Sequence, residues 1–512
     1  MGINLNPYLP ILHRNLPRLL SLYNVDFTDP LCGCGDRRYW AWKSIDFPNG
    51  TFQGVTFGLS KLLTAGMLPK EMDKDEIQLR IEKMISVVPM LVDRHGGLSE
   101  AIPNESSFCV TGLVLGDCLG AIQSLDKLLD RKRRQELVEC LEPLAKFLMR
   151  QDETHGIISN HLATNALAML RWAKLTGNTD SIKRVKMWLD RIRINANDEG
   201  WMLEYSGADP GYQSWCTSAL AQISEIAPEF ELQDLLDKSF SFLEAFALPD
   251  GSYANGCGSR MTRFLMPGGI ELQAEKSASA ARLAFFTRLH ISSNKFVSLD
   301  SVDEPNLIPF FNDVALAAVN FKDKADIELP KPKTRDFPNA GLYLHKNKVN
   351  IATINIKRGG WISLTKNSSN PSTVIKPEPV ARTANGKVLR AVRGKLISFS
   401  KDRMVIQSDL EIIERMLPSP IKFIILRILS LTVFRSLGLG NLIKRLLAKL
   451  LILENGKTYG CVQRTIIFSK GSTSDKVLSG NVTLITNTDG FSPSHMASQG
   501  YWQVGDDTAS KS

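Results

Sequence analysis

Hydrophobic positions follow two different periods along the chain. Up to about residue 290 they recur every three or four residues, and the segment after His161 is typical, with one apolar face formed by Leu162, Ala166, Leu170 and Ala173. Gly177 follows this segment and is expected to end the helix, because glycine readily adopts the left-handed conformation found there. From Ala340 the period becomes two, and Asn-Gly and Gly-Gly turns separate the alternating runs. The pattern predicts a helical N-terminal part followed by an antiparallel β-sandwich.

Turns that carry glycine recur about every fifty residues in the helical part, and each precedes an apolar helix. The turn glycines are Gly50, Gly97, Gly156, Gly200 and Gly251. A repeat of this length indicates helical hairpins, and hairpins that close on themselves form an α/α toroid whose turns gather at one mouth. Such turns leave polar side chains beside a cavity rather than inside a core.

The expected fold class is therefore a multidomain α+β protein, because 512 residues exceed what one core usually holds. Residues 1–290 are expected to form the toroid. Residues 291–337, which are polar and rich in proline around a short apolar helix near 311–320, are expected to be a linker. The β-sandwich is expected over 338–505 and a disordered tail over 506–512.

One stretch interrupts the β pattern. Residues 418–453 are apolar, with six basic residues and no acidic residue. No uncharged run approaches the ~18 residues needed to span a bilayer. The pattern predicts two amphipathic helices broken at Gly438–Gly440. A basic pair of this kind can lie on an anionic membrane surface. The alternative is an insertion that packs on the sandwich or on a second subunit.

Composition narrows the range of partners. The net charge of +9 suits an anionic partner, such as an anionic polysaccharide or an acidic membrane surface. Nucleic acid is not expected, because no basic stripe is interleaved with aromatic residues. The eight cysteines form no CxxC pair, and Cys32 and Cys34 lack further zinc ligands, so neither a metal nor another cofactor is expected. The N-terminal segment lacks the unbroken apolar core of a signal peptide. We expect a cytoplasmic protein, peripheral to the inner face of the membrane if 418–453 binds lipid.

The candidate catalytic residues lie in the turns and are Asn160, His161, Tyr212 and Arg260. Cleavage of a uronic-acid polymer by β-elimination needs a group that offsets the charge of the C6 carboxylate. It also needs a base that removes the C5 proton and an acid that protonates the leaving O4. Asn160 and His161 can address the carboxylate, or His161 can be the base. Tyr212 can be base or acid, and Arg260 can lower the pKa of Tyr212 through its positive charge.

A second set of residues is assigned to substrate binding: Tyr205, Gln213, Trp201, Trp42 and His495. The candidates also have structural interpretations. Asn160 is a good N-cap, and Arg260 can pair with Glu271. The tryptophans can belong to the core rather than stack on a sugar.

This organisation resembles the heparinase II/III-like and alginate-lyase-like polysaccharide lyases. The likeness is carried by Asn160–His161 before a helix, and by the turn of Asp198, Gly200 and Trp201 that ends in Tyr212–Gln213. The phrases DRRYWAWKSIDFP, EYSGADPGYQS, GSRMTRFLMPGG and SPSHMAS resemble a bacterial branch found with surface-polysaccharide genes. The resemblance implies a polysaccharide lyase that acts by β-elimination on a uronic-acid-containing glycan.

The chain departs from that family in its histidines. Gln213 stands where the family has a histidine after the tyrosine. The sandwich offers only His345 and His495 in place of a histidine-rich segment, and it lacks the family's zinc ligands. Of these two, His495 is the histidine expected to reach the cleft.

Two other functions stay open. One is an α/α-toroid glycoside hydrolase, whose paired carboxylates would come from Asp198, Glu204 and Asp209. The other is a catalytically decayed, membrane-peripheral protein that binds or assembles glycan in a surface-polysaccharide pathway. The missing histidines and the basic insertion favour this third function.

Overall fold

A computed structural model describes residues 6–154, 156–323, 328–412, 419–448 and 457–485. The N-terminal part is helical throughout. Its helices are α1 (Leu9–Leu20), α2 (Arg37–Trp40), α3 (Thr56–Thr64), α4 (Lys74–Ser86), α5 (Val88–Leu91), α6 (Phe108–Ser124), α7 (Arg131–Cys140), α8 (Glu142–Arg150), α9 (Ser159–Thr176), α10 (Thr179–Ile194), α11 (Pro210–Ile226), α12 (Gln233–Glu244), α13 (Gly268–Gln273), α14 (Ala278–His290) and α15 (Glu304–Asn320).

Side-chain caps define where the long inner helices begin. Ser107, Asp209 and Asp303 each accept a hydrogen bond from a backbone N–H in the first turn of α6, α11 and α15, respectively. Gly177 ends α9 in the left-handed conformation, with φ of 75°, which confirms the prediction made for it.

Six of these helices form a closed ring. Helix α3 packs on α6, α6 on α9, α9 on α11, α11 on α13, α13 on α15, and α15 returns to α3. The remaining long helices pack outside them, with α10 on α9, α12 on α11 and α4 on α3. The ring therefore presents the starts of its inner helices, and the loops before them, to a common end.

The helix that closes the ring lies inside the segment expected to be a linker. Helix α15 is buried along most of its length and contacts both α13 and α3. Pro305 lies at its first turn, where a missing N–H costs nothing, and Pro309 lies within it. The prolines led to the prediction that residues 291–337 are a linker. Instead, α15 within this segment completes the helical part.

The interior of the ring is filled by a polar network. Arg171 donates to the carbonyl oxygen of Gly116 and to Gln222, and Asn312 donates to Asp117. Burial raises the pKa of Asp117 to about 7 and lowers that of Arg171 to about 10. A cavity of about 50 Å³ borders this network. The network lies in the middle and later turns of the inner helices, and we call the end of the ring at which these helices start its mouth.

The C-terminal part consists of two antiparallel sheets. The first has the strand order β1 (Arg335–Phe337), β2 (Leu342–Lys346), β3 (Asn350–Asn355), β4 (Trp361–Lys366) and β5 (Thr373–Lys376). The second is formed by β6 (Val380–Thr383), β7 (Val388–Phe399), β8 (Arg403–Ile412), β9 (Thr458–Ile467), β10 (Ser472–Ser479) and β11 (Val482–Ile485), in the order β10-β9-β8-β7-β6-β11. The prediction of a helical part followed by antiparallel sheets is confirmed.

The two sheets share a core and one of them also joins the helical core. Tyr343 and Ile354 of the first sheet pack in one cluster with Ile406 and Phe468 from the second. The first sheet also contributes Leu342 to the core of the helical part. The β part is therefore joined to the ring by buried apolar surface as well as by polar contacts.

Two helices interrupt the second sheet between β8 and β9. They are α16 (Pro420–Leu431) and α17 (Leu437–Ala448), and a 3₁₀ turn at Val433–Arg435 joins them. Two helices were predicted, but the break expected at Gly438–Gly440 is wrong: both glycines lie within α17. The buried ring of Phe434, 2% exposed, anchors the chain at the actual break.

Some predictions fall outside the described residues, among them His495 and the tail at 506–512. In the part of the chain that the structure describes, none of the helices has both the length and the apolar character required to cross a bilayer.

Candidate functional site

The loops at the starts of α6, α9 and α11 come together at the mouth of the ring. Burial raises the pKa of the Cys109 thiol, and the carboxylates of Glu100, Glu153 and Glu204 add to the rise. Cys109 belongs to α6, whereas Glu153 and Glu204 precede α9 and α11. The backbone bridge between Ile158 and Glu204 joins the loops before α9 and α11 directly.

His161 forms a hydrogen-bonded pair with a carboxylate. Its Nδ1 lies 2.6 Å from Oε2 of Glu153, whose side chain is almost completely buried. The imidazole is 21% exposed. When Glu153 is ionised it accepts the proton of Nδ1, which leaves Nε2 as the ring's acceptor nitrogen. The pair is therefore built like a base whose orientation and tautomer are held by a carboxylate.

Asn160 binds a second buried carboxylate. Its backbone N–H and its Nδ2 donate to the two oxygens of Glu204, each at 2.9 Å. Both residues are almost fully buried. Burial raises the pKa of Glu204 to about 8. Asn160 is not the N-cap of α9, which begins one residue earlier, and its amide is directed to Glu204 rather than to the open mouth.

Two tyrosines lie beneath one arginine. The guanidinium carbon of Arg260 lies 4.7 Å from the ring centre of Tyr205 and 5.3 Å from that of Tyr212. The ring of Tyr212 packs edge-on against Phe264, at 5.4 Å between ring centres. Tyr205 is held beside α9 by a hydrogen bond from its N–H to the carbonyl oxygen of Ile157. Cation–π contacts therefore bring the three predicted side chains into one cluster.

The pKa of Tyr212 is raised, not lowered. Burial is the largest cause, and the positive charge of Arg260 opposes it without reversing it. Burial also raises the pKa of Tyr205. Arg260 lowers the pKa of Tyr212 as expected, but burial raises it by more, so the expectation of a lowered pKa is wrong. Both phenols stay protonated at neutral pH and suit the part of an acid better than that of a base.

Arg260 is held by an organising carboxylate at the start of α11. Asp209 caps the helix by accepting a hydrogen bond from the backbone N–H of Tyr212. It also accepts hydrogen bonds from the backbone N–H of Arg260, at 2.9 Å, and from the hydroxyl of Thr262. Glu271, the structural partner considered for Arg260, instead accepts hydrogen bonds from Arg288 and Tyr8. One buried carboxylate therefore fixes the relative positions of Tyr212 and Arg260.

The loops around this cluster contain strained backbone. Tyr205, Ala254, Asn255 and Met261 all have positive φ, between 45° and 56°. Such values are uncommon for residues other than glycine and are stable only where the surroundings impose them. The sheet supplies part of that support, because Asn355 donates to the carbonyl oxygen of Gly258, at 3.0 Å.

A second arginine reaches the mouth from the sheet. Arg358, in the turn between β3 and β4, donates to the carbonyl oxygen of Ser259, next to Arg260. Burial lowers the pKa of Arg358, and the nearby positive charges of Arg390 and Arg260 lower it further. The carboxylates of Glu378 and Asp209 oppose this effect, so Arg358 lies among charges of both signs.

Several residues expected to bind substrate lie elsewhere. Gln213 is fully buried, and its amide binds Met202 N–H, the Gly200 carbonyl oxygen and Ser239. It holds the turn before α11 together and has no surface through which to contact a glycan. Trp201 is also buried and donates to Glu199. Trp42 is 72% exposed and lies in the loop before α3.

Around the candidate site the structure shows further residues to which the sequence analysis had assigned no role there. Glu153 and Arg358 were not considered, while Glu204 and Asp209 were considered only as a hydrolase pair. Each glycine-bearing turn contains a carboxylate, and this pattern could have drawn attention to Glu153. Arg358 lies in the other part of the chain, so no spacing along the sequence could have connected it to Arg260.

Comparisons with known proteins found similar solved structures but no matching family. No family model matches, and no curated protein matches. A chondroitin AC lyase of Streptomyces coelicolor A3, in complex with chondroitin sulphate, is 11% identical, with 80% of this chain and 67% of that chain covered and a TM-score of 0.49. A polysaccharide lyase is 11% identical, over 61% of this chain and 96% of the other, with a TM-score of 0.39. An unsaturated glucuronyl hydrolase specific for heparin is 11% identical, over 61% and 95%, with a TM-score of 0.40.

These similar structures thus include lyases and a hydrolase. All of the TM-scores are below 0.5, so they assign neither an activity nor site residues to this chain. The heparinase II/III-like resemblance stays a prediction.

Proposed function

We propose that the protein is a polysaccharide lyase-like enzyme that cleaves a uronic-acid-containing glycan by β-elimination at the mouth of the helical ring. The observation that carries the proposal is the contact of Arg260 with both Tyr205 and Tyr212, at the same end of the ring as the His161–Glu153 pair. A base, neutral phenols and a positive charge are the groups that this reaction requires.

The roles follow from the state of each group. Nε2 of His161 takes the C5 proton, while Glu153 holds Nδ1. Arg260, with Arg358 beside it, offsets the negative charge that builds up on the C6 carboxylate as the C5–H bond breaks. The C4–C5 double bond then forms, the C4–O4 bond breaks, and the hydroxyl of Tyr212 gives its proton to O4. Asn160 acts as a positioning residue through Glu204 instead of contacting the substrate carboxylate.

The hydrolase alternative has less support. Its paired carboxylates would come from Glu204 and Asp209, but both are buried and already bound to backbone N–H groups of the loops. Asp198 is exposed in the same turn. One observation favours the catalytically decayed glycan-binding protein. The amide of Asn160 donates to Glu204 and is therefore not available for a substrate carboxylate.

The test is the appearance of an unsaturated product from polymers of uronic acid, followed by the absorbance of its C4–C5 double bond. Tyr212→Phe should lower turnover by ~10²–10⁴-fold, because a positioned proton donor is lost. Glycan affinity should persist, since only the hydroxyl is removed. Tyr459→Phe, in β9 of the second sheet, is the matched control and should turn over like the wild type.

Other outcomes separate the alternatives. Reducing ends without an unsaturated product would favour the hydrolase. Binding that is lost in Arg260→Ala, with no product from any polymer tested, would identify a binder. A wild-type rate in Tyr212→Phe would contradict the assignment of the acid to that residue.

A further inference from the structure

The two inserted helices leave many large apolar side chains exposed. Nine of their large apolar side chains are each at least half exposed: Ile421, Phe423, Ile424, Ile425, Ile428, Leu431, Leu439, Leu442 and Leu446. Positions 421, 424, 425 and 428 fall on one face of α16. Single exposed apolar residues are ordinary, but nine on two short helices mark a region that contacts something else. We call this set the insertion face.

The charges of the insertion indicate what that contact is. Residues 419–448 contain Lys422, Arg427, Arg435, Lys444 and Arg445, with no aspartate or glutamate. On the α16 helical wheel, Lys422 and Arg427 fall on either side of the apolar face. Cations beside an apolar face are the arrangement of helices that lie in the headgroup region of an anionic bilayer.

A second copy of the chain fits this surface less well. In a symmetric dimer the same patch meets itself. The cations of one insertion would then face those of the other, and 419–448 supplies no acidic residue; Asp46, outside the insertion, pairs with Arg427 of its own chain. An anionic lipid surface supplies both the apolar layer and the opposite charge.

The insertion is attached to the loops before α3 and α6. Arg427 pairs with Asp46, at 3.1 Å, and its guanidinium lies over the ring of Phe47. Asn104 donates a hydrogen bond to the carbonyl oxygen of Ser430. Nε2 of His95 lies 2.9 Å from the carbonyl oxygen of Arg435 and forms a hydrogen bond with it. These loops belong to the end of the ring where the candidate site lies. The insertion face is therefore presented from the rim of the mouth.

We propose that α16 and α17 dock the protein on an anionic phospholipid surface and hold the mouth of the ring beside it. The docking itself does not rest on the proposed reaction. If that reaction is correct, the arrangement suits a glycan that is attached to the membrane or emerges from it.

Flotation of the full-length protein with vesicles tests the docking. The protein should float with vesicles of phosphatidylcholine and phosphatidylglycerol and less with phosphatidylcholine alone, and added salt should reduce the difference. Ile424→Asp/Ile428→Asp should lower the partition coefficient by at least ~10-fold, because two apolar side chains leave the bilayer. The matched control is Val349→Asp/Ile397→Asp, which adds the same charges at comparably exposed apolar positions of the β part and should float like the wild type.

Three results would overturn the docking: no flotation of the wild type, equal flotation of both double variants, or equal flotation with and without phosphatidylglycerol. A dimer seen by light scattering without lipid, and lost only in Ile424→Asp/Ile428→Asp, would assign the face to a second copy. Unchanged circular dichroism and thermal unfolding of the variants show that each is folded, so the comparison stands.

The orientation has its own measurement. Trp42 lies in the same loop as Asp46 and is strongly exposed, so headgroup-labelled nitroxide lipids should quench part of the tryptophan fluorescence. Trp42→Phe should remove that quenched component. Flotation without any component that depends on Trp42 would overturn the placement of the mouth beside the bilayer.

Discussion

At the scale of single residues, the pKa of Glu204 gives a testable dependence of stability on pH. Burial raises this pKa from an ordinary value of 4.5 to about 8. Between these values the folded chain keeps a proton that the unfolded chain releases, so the free energy of unfolding falls as pH rises. Above about pH 8 both states are ionised and the contribution no longer changes.

Glu204→Gln should remove this contribution. As pH rises from about 5 to 8, the free energy of unfolding measured with urea should fall in the wild type but not through this group in the variant. The free energy of unfolding of the variant should therefore rise relative to that of the wild type. The slope of the difference should approach ~1.4 kcal/mol per pH unit. Asp198→Asn, at an exposed carboxylate of the same turn, should follow the wild type. Parallel curves for Glu204→Gln and the wild type would contradict the raised pKa.

At the scale of elements, close contact between inner helices depends on glycine. A Cβ on Gly269 of α13 would lie 2.4 Å from the Cα of Ser218 in α11, so backbone would have to move. We expect Gly269→Ala to lower the free energy of unfolding by about 1–3 kcal/mol. Gly438→Ala in α17, where the space is open, should be neutral or stabilise by up to about 1 kcal/mol. Chemical denaturation measures both, and equal effects would show that α11 and α13 can separate without loss.

At the scale of the whole molecule, the ring and the sheets should unfold together. Trp361 of β4 is fully buried, and its indole donates to the carbonyl oxygen of Asn255 in the ring's loops. Trp361→Ala should lower the free energy of unfolding by about 3–5 kcal/mol and shift a single calorimetric transition. Val349→Ala, in the exposed turn between β2 and β3, should leave the transition in place. Two separate transitions in the wild type would contradict a shared fold.

The order of the elements could be predicted from the amino-acid sequence. Apolar spacing predicted the helices, alternation predicted the strands, and Gly177 marked a helix end, because these features act between neighbours in the chain. The sequence also singled out Tyr205, Tyr212 and Arg260, since unusual residues in turns stand out without knowledge of the fold; the structure brings them together, and their roles stay a prediction. It failed at residues 291–337 and at Gly438–Gly440, where packing of α15 and burial of Phe434 overrode local signals from proline and glycine.

The contacts and charge states of the side chains could not be predicted in this way. Glu153 and His161 meet across one loop, whereas Arg260 and Arg358 come from different parts of the chain, and no spacing along the sequence indicates that they lie near each other. The charge states of Tyr212 and Glu204 depend on burial, which is a property of everything packed around them. Gln213 and Trp201 resemble site residues in the sequence, yet the fold encloses both. A site is therefore predictable from sequence as far as its residue types, while its geometry and protonation arise from long-range packing.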